Sequence, residues 1–156
     1  MSELKITKPL IKEIVEQICL SLELKGSHRD PTNKLALIIL DNAVEIIIKF
    51  YASYYGLIKD REMNSQDAFF SILDKIKDQN KIVDYEEKDI MRYHKMLEKF
   101  HSTDNFTIPD SIIDEYVILA KILLARLYNY RATKLEWNSM AEDIRRRGYQ
   151  PKKVNT

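Results

Sequence analysis

The stretch LALIILDNAVEIIIKFYASYY, residues 35–55, decides the fold. Wound at 3.6 residues per turn, its apolar side chains (Leu35, Leu37, Ile38, Ile39, Leu40, Val44, Ile46, Ile47 and Ile48, with Ala36 and Ala43) cover most of the circumference. A helix apolar nearly all round packs against neighbours on several sides, so it is expected at the centre of the molecule. It is long enough to cross a bilayer, but Asp41, Asn42, Glu45 and Lys49 fall in its interior, where lipid strongly disfavours charge. The expectation is a buried helix of a soluble protein with no membrane partner. Asp30 as N-cap with Pro31 at the first helical position would start it, and Gly56 would end it.

Four further helical segments flank this one. The first spans residues 9–25, with Leu10, Ile14, Ile18 and Leu22 four apart and Gly26 as the stop. After a charged connector at 57–64, Asn64 or Ser65 caps a short helix holding Phe69, Phe70, Ile72, Leu73 and Ile76. Asp84 caps the fourth, with Glu86 and Glu87 in the first turn, where the helix dipole favours acids. Its periodic face is Ile90, His94, Leu97 and His101. A polar loop at 102–107 leads to Pro109, which opens a fifth segment without Gly or Pro as far as Arg147. That segment either continues as one long helix or breaks near residues 129–131.

Composition agrees with helices throughout. Three Gly and four Pro among 156 residues fall well below the roughly 12% of average usage, and multi-stranded folds need those residues at their turns. The expected architecture is all-α: an antiparallel bundle of about five helices over residues 1–130, followed by a charged helical extension and basic tail over 131–156. The single Cys19 cannot form an internal disulfide, and the first twelve residues lack the apolar run of a signal peptide, so a reducing cytoplasm is the expected compartment. No metal or other cofactor is expected. The chain has no H-E-x-x-H, no pair of Glu-x-x-His motifs, no set of Cys ligands and no Gly-rich phosphate loop.

Two features carry chemistry. His94 and His101 lie two turns apart on one side of the fourth helix, either as satisfied, partly buried residues or as acid/base groups with an ordinary pKa of about 6.5. On the central helix, Asp41, Glu45 and Lys49 are spaced by four with Asn42 adjoining. They form either a solvent side with an i,i+4 salt bridge or a polar seam facing the fourth helix or a second protomer.

The segment L-D-N-A-V-E-I-I-I-K, residues 40–49, resembles a helix of HEPN domains, where Leu-x-x-Ala-x-Glu-x-x-x-Lys is frequent. The order that follows is similar too: a connector, a helix ending in a histidine, a short polar loop and a long last helix. The resemblance covers roughly residues 31–130. It implies an all-α, dimeric protein related to metal-independent ribonucleases of prokaryotic defence and toxin–antitoxin systems. Their motif is an Arg and a polar residue, then a His after four to six intervening positions, contributed by both protomers. Counting back from His101, those positions hold Met96, Lys95 and His94, and Arg92 lies beyond them. Lys offers a point charge where Arg offers a planar fork of donors. The resemblance thus implies His101 as acid/base with Lys95 or Arg92 as phosphate contact, and His94 as a further candidate, in a degenerate site. Whether the chain is an enzyme stays open, with the departure from the motif favouring a non-catalytic relative.

The tail concentrates charge. Arg145, Arg146, Arg147, Lys152 and Lys153 lie in the last twelve residues without an acid among them, although the whole chain carries only +1. With Trp137 they are candidate contacts for RNA or for a cognate protein partner. The leading expectation is a homodimeric, HEPN-like, RNA-associated protein. The alternative is a non-catalytic homo-oligomeric module for protein–protein interaction.

Overall fold

A computed structural model describes residues 8–26, 32–59, 68–98 and 107–147. They form six helices and, among the described residues, no strand: α1 (Lys8–Gly26), α2 (Lys34–Tyr54), α3 (Ala68–Asp78), α4 (Asp84–Glu98), α5 (Asp110–Tyr128) and α6 (Lys134–Arg146). The central position expected of α2 is observed, since α1, α3, α4 and α5 all pack against it. Leu37, Leu40, Val44, Ile47 and Ile48 are fully buried there, against Ile14 and Ile18 of α1 and Leu123 and Leu124 of α5 within one continuous core.

α2 starts later than Asp30 and Pro31 suggested; those two residues lie outside the described region, and Thr32 and Asn33 precede the first turn as non-helical backbone. Asn33 takes a left-handed conformation (φ 57°), which Asn tolerates better than most residues. Its side-chain amide donates to the Ile108 carbonyl (2.8 Å) and to Asp110 Oδ1 (2.6 Å). The starts of α2 and α5 are thereby tied together, and the two helices run side by side in the same direction. α1 runs against both, because Lys25 at its end pairs with Asp114 near the start of α5. α4 is antiparallel to α5 and to α3, as the pairs Glu86–Arg126 and Glu87–Lys77 show at its start. Gly56 sits just past α2 with φ 68°, the left-handed stop read from the sequence.

The fifth segment breaks rather than continuing. Asn129 turns left-handed (φ 53°) at the end of α5, and Thr133 starts α6 with a reciprocal capping box to Glu136. α6 lies against α1, where Ile144 is buried and Trp137 and Met140 are partly so. The Asn64 and Ser65 caps, and the polar loop at 102–107 apart from Thr107, fall outside the described residues.

Candidate functional site

The polar residues of α2 go to different places. Asp41 is 3% exposed and faces inward. Its Oδ1 accepts from the Tyr116 hydroxyl of α5 at 2.6 Å, and its Oδ2 lies 2.8 Å from His94 Nδ1 of α4. A buried carboxylate needs partners for its lone pairs, and two helices supply them. Asn42, one residue on and about 100° around the helix, instead donates to Gln17 of α1 (3.1 Å) at the surface. Glu45 and Lys49 form an i,i+4 salt bridge of 2.6 Å. Of the two sequence readings, the seam facing α4 describes Asp41 and the salt bridge describes Glu45 with Lys49.

Asp41 sets the protonation of its partners. Its hydrogen bond raises the pKa of His94 above the ordinary imidazole value against the opposing effect of burial, and the Glu45 and Glu98 charges add to the rise. The imidazole also packs on Phe69 (ring centroids 4.9 Å) and meets Phe70 edge-on (5.5 Å), both from α3. Burial, with the adjoining Asp41 charge, drives the Tyr116 phenol well above its usual value and keeps it a donor. Tyr93 stacks at 4.4 Å on Tyr116, and burial together with a hydrogen bond to Glu115 (3.1 Å) raises its pKa to about 12.

Arg92 and Lys95 turn the other way. With Lys88 they form an outward stripe of cations at i, i+4 and i+7, and with Met91 and Met96 they line a shallow groove of about 530 Å³. Arg92 leans towards α5, reaching the Tyr93 hydroxyl (3.3 Å), Asp89 (3.5 Å) and Glu115 (3.9 Å). The Lys95 ammonium rests 5.6 Å from the centre of the Phe70 ring. The structure therefore brings Lys88, Arg92 and Lys95 together and places His94 on the inner side of the same helix. His101 lies outside the described residues, as do Lys152 and Lys153.

The arginines of the tail meet acids. Arg145 binds Glu23 through Nε (3.1 Å) and Nη2 (2.7 Å), Arg147 binds Glu16 (2.9 Å) and Asp143, and Arg146 lies 3.6 Å from Glu142. Trp137 is covered on one face by the Lys121 ammonium, 4.4 Å from the ring centre.

The sequence reading missed Tyr116, Arg126 and the burial of Glu86 and Glu87. Glu86, 1% exposed, accepts from the Val83 N–H (2.9 Å) and pairs with Arg126; Glu87 holds Lys77 at 3.0 Å. For Tyr116 there was a signal: a phenol in an apolar run usually finds a buried partner, and Asp41 was the unassigned acid of the central helix.

Compared with known protein families, curated proteins and solved structures, the chain matches none. The fold and site define an all-α bundle whose central helix is fastened to two others through one carboxylate, with a cationic stripe outside that junction.

Proposed function

We propose that this chain is a HEPN-like, RNA-associated protein of the prokaryotic defence or toxin–antitoxin kind, homodimeric, with a degenerate metal-independent ribonuclease site. The observation that carries the reading is the division of labour on α4. Lys88, Arg92 and Lys95 face outward over two turns, about 11 Å, and a phosphodiester backbone running along them would replace the exposed pairs of Lys88 with Asp84 (2.9 Å) and of Arg92 with Asp89. His94, on the inner side, is held by Asp41 through Nδ1 and braced by two phenylalanines, so it serves the packing of α4 rather than proton transfer. Metal-free cleavage of RNA needs a base for the 2′-hydroxyl, a cation for the phosphate and an acid for the leaving oxygen. With His94 engaged, His101 is the acid/base candidate, and Lys95 or Arg92 supplies the cation.

Fluorescence anisotropy with a single-stranded RNA tests this. Wild type should bind, with affinity falling as salt rises. Reversal of Lys88, Arg92 and Lys95 to Glu should weaken binding by at least about tenfold at low salt, since three phosphate contacts are lost. Equal binding by wild type and the triple variant overturns the reading. Cleavage in EDTA that His101→Ala abolishes would make the site active, and binding without cleavage would make it degenerate.

A further inference from the structure

A groove of about 550 Å³ lies where α6 folds over α1 and α5, a volume within the range of small-molecule sites. Its lining combines one large flat side chain, Trp137, with the small side chains of Cys19, Ala132 and Ala141, the last one turn along α6 from the indole. Such a slot admits a planar ring that stacks on the indole. Cys19 offers no reactivity there, because burial raises its thiol to about 12 and keeps it protonated at neutral pH.

The charges in the groove do not cancel. Arg145 is neutralised by its two hydrogen bonds to Glu23. Lys121 and Lys134 also line the groove, and among the described residues neither has a carboxylate within ion-pair distance. Lys121 rests instead over the Trp137 ring, 4.4 Å from its centre, so a ring stacking on that face displaces the ammonium towards the ligand's own anionic group. An indole beside two ammonium groups that no carboxylate pairs among the described residues matches a ligand with a base-sized aromatic ring and an anionic group.

We propose that this groove binds a nucleotide unit, the ring stacked on Trp137 and the phosphate held by Lys121 and Lys134. The groove shares no residue with the α4 stripe, so its fate does not depend on whether the stripe binds RNA.

Trp137 is the only tryptophan of the chain, so its emission reports occupancy directly. The full chain is titrated with adenosine monophosphate at low salt. A saturable change is expected, and Lys121→Gln with Lys134→Gln should move its midpoint about tenfold higher while leaving far-UV circular dichroism unchanged. Adenosine alone and inorganic phosphate alone should each titrate at higher concentration than the nucleotide, since each engages half the site. An oligoribonucleotide that displaces the nucleotide at lower concentration assigns the unit to an RNA strand, whereas no displacement assigns it to a free nucleotide. The Lys88, Arg92 and Lys95 reversals should leave this titration unchanged, which separates the fate of the groove from that of the stripe. No saturable change up to millimolar nucleotide overturns the proposal. So do equal midpoints for wild type and the double variant, or inorganic phosphate binding as tightly as the nucleotide.

Discussion

Asp41 holds three helices with four atoms. Its carboxylate receives the Tyr116 hydroxyl and faces His94 Nδ1, so a change there alters both packing and titration. His94 has a folded pKa above its unfolded value of about 6.5. A group shifted that way contributes stability that is complete below about pH 6.5 and disappears as pH rises through the folded value. Asp41→Asn keeps the volume and removes the charge that raises the imidazole. The variant should unfold about 1–3 kcal/mol more easily at pH 6, the cost of disturbing a buried, charge-assisted hydrogen bond. Its stability should also vary less with pH from 6 to 9, and the His94 ring protons followed by NMR should titrate at a lower pH. An unchanged midpoint would show that Asp41 does not set the protonation of His94. In the sequence, Asp41 was visible as an acid on an apolar helix, but its partners lie 53 and 75 residues away. Helical spacing groups residues of one element and says nothing of which distant side chain completes a pair.

At the scale of the element, α2 was the most legible part, because a run apolar all round has one stable place. Its C-terminal stop was legible too, since Gly56 supplies a left-handed residue at no steric cost. Its N-terminus was not: Asn33 performs the turn by bonding across to Ile108 and Asp110, a tertiary contact that a local capping rule does not contain. Leu35 and Ile38 near the start of α2 and Phe50 and Tyr54 near its end are each more than 40% exposed, with Asn42 and the Glu45–Lys49 pair between them. Two apolar ends about a polar middle on a 21-residue helix suit a second copy of the same helix, antiparallel about a two-fold axis. The proposed homodimer therefore predicts that light scattering at tens of micromolar gives twice the 18.5 kDa chain mass, and that Ile38→Glu with Phe50→Glu returns the monomer with unchanged helix content. A monomeric wild type at that concentration refutes this use of the face.

At the scale of the whole molecule, the described residues form one core with α6 folded onto it. The sequence left open whether residues beyond 130 continue α5, and the answer turned on Asn129 and the Thr133–Glu136 box, each a short local signal inside a long charged run. What no pattern revealed is that Arg145 and Arg147 return to Glu23 and Glu16 of α1, more than 120 residues earlier, which turns an expected extension into a helix packed on the bundle. The strength of that layer can be weighed. α6 contributes one buried side chain, Ile144, with Trp137 and Met140 partly covered. A buried Ile stabilises by about 1.5–3 kcal/mol, while solvent screens ion pairs such as Arg145–Glu23 and leaves them a small share. Removing residues 131–156 should therefore cost about 3 kcal/mol, less than the 5–15 kcal/mol typical of a domain, so the remainder should still unfold cooperatively. For a chain of this size the melting temperature should fall by about 10 °C. Part of that gap should close at 1 M salt, where the intact chain loses its screened pairs to α1 and the truncated chain has none to lose. An unchanged melting temperature would mean that α6 carries no packing; loss of the cooperative transition would mean that α1 cannot stay folded without it.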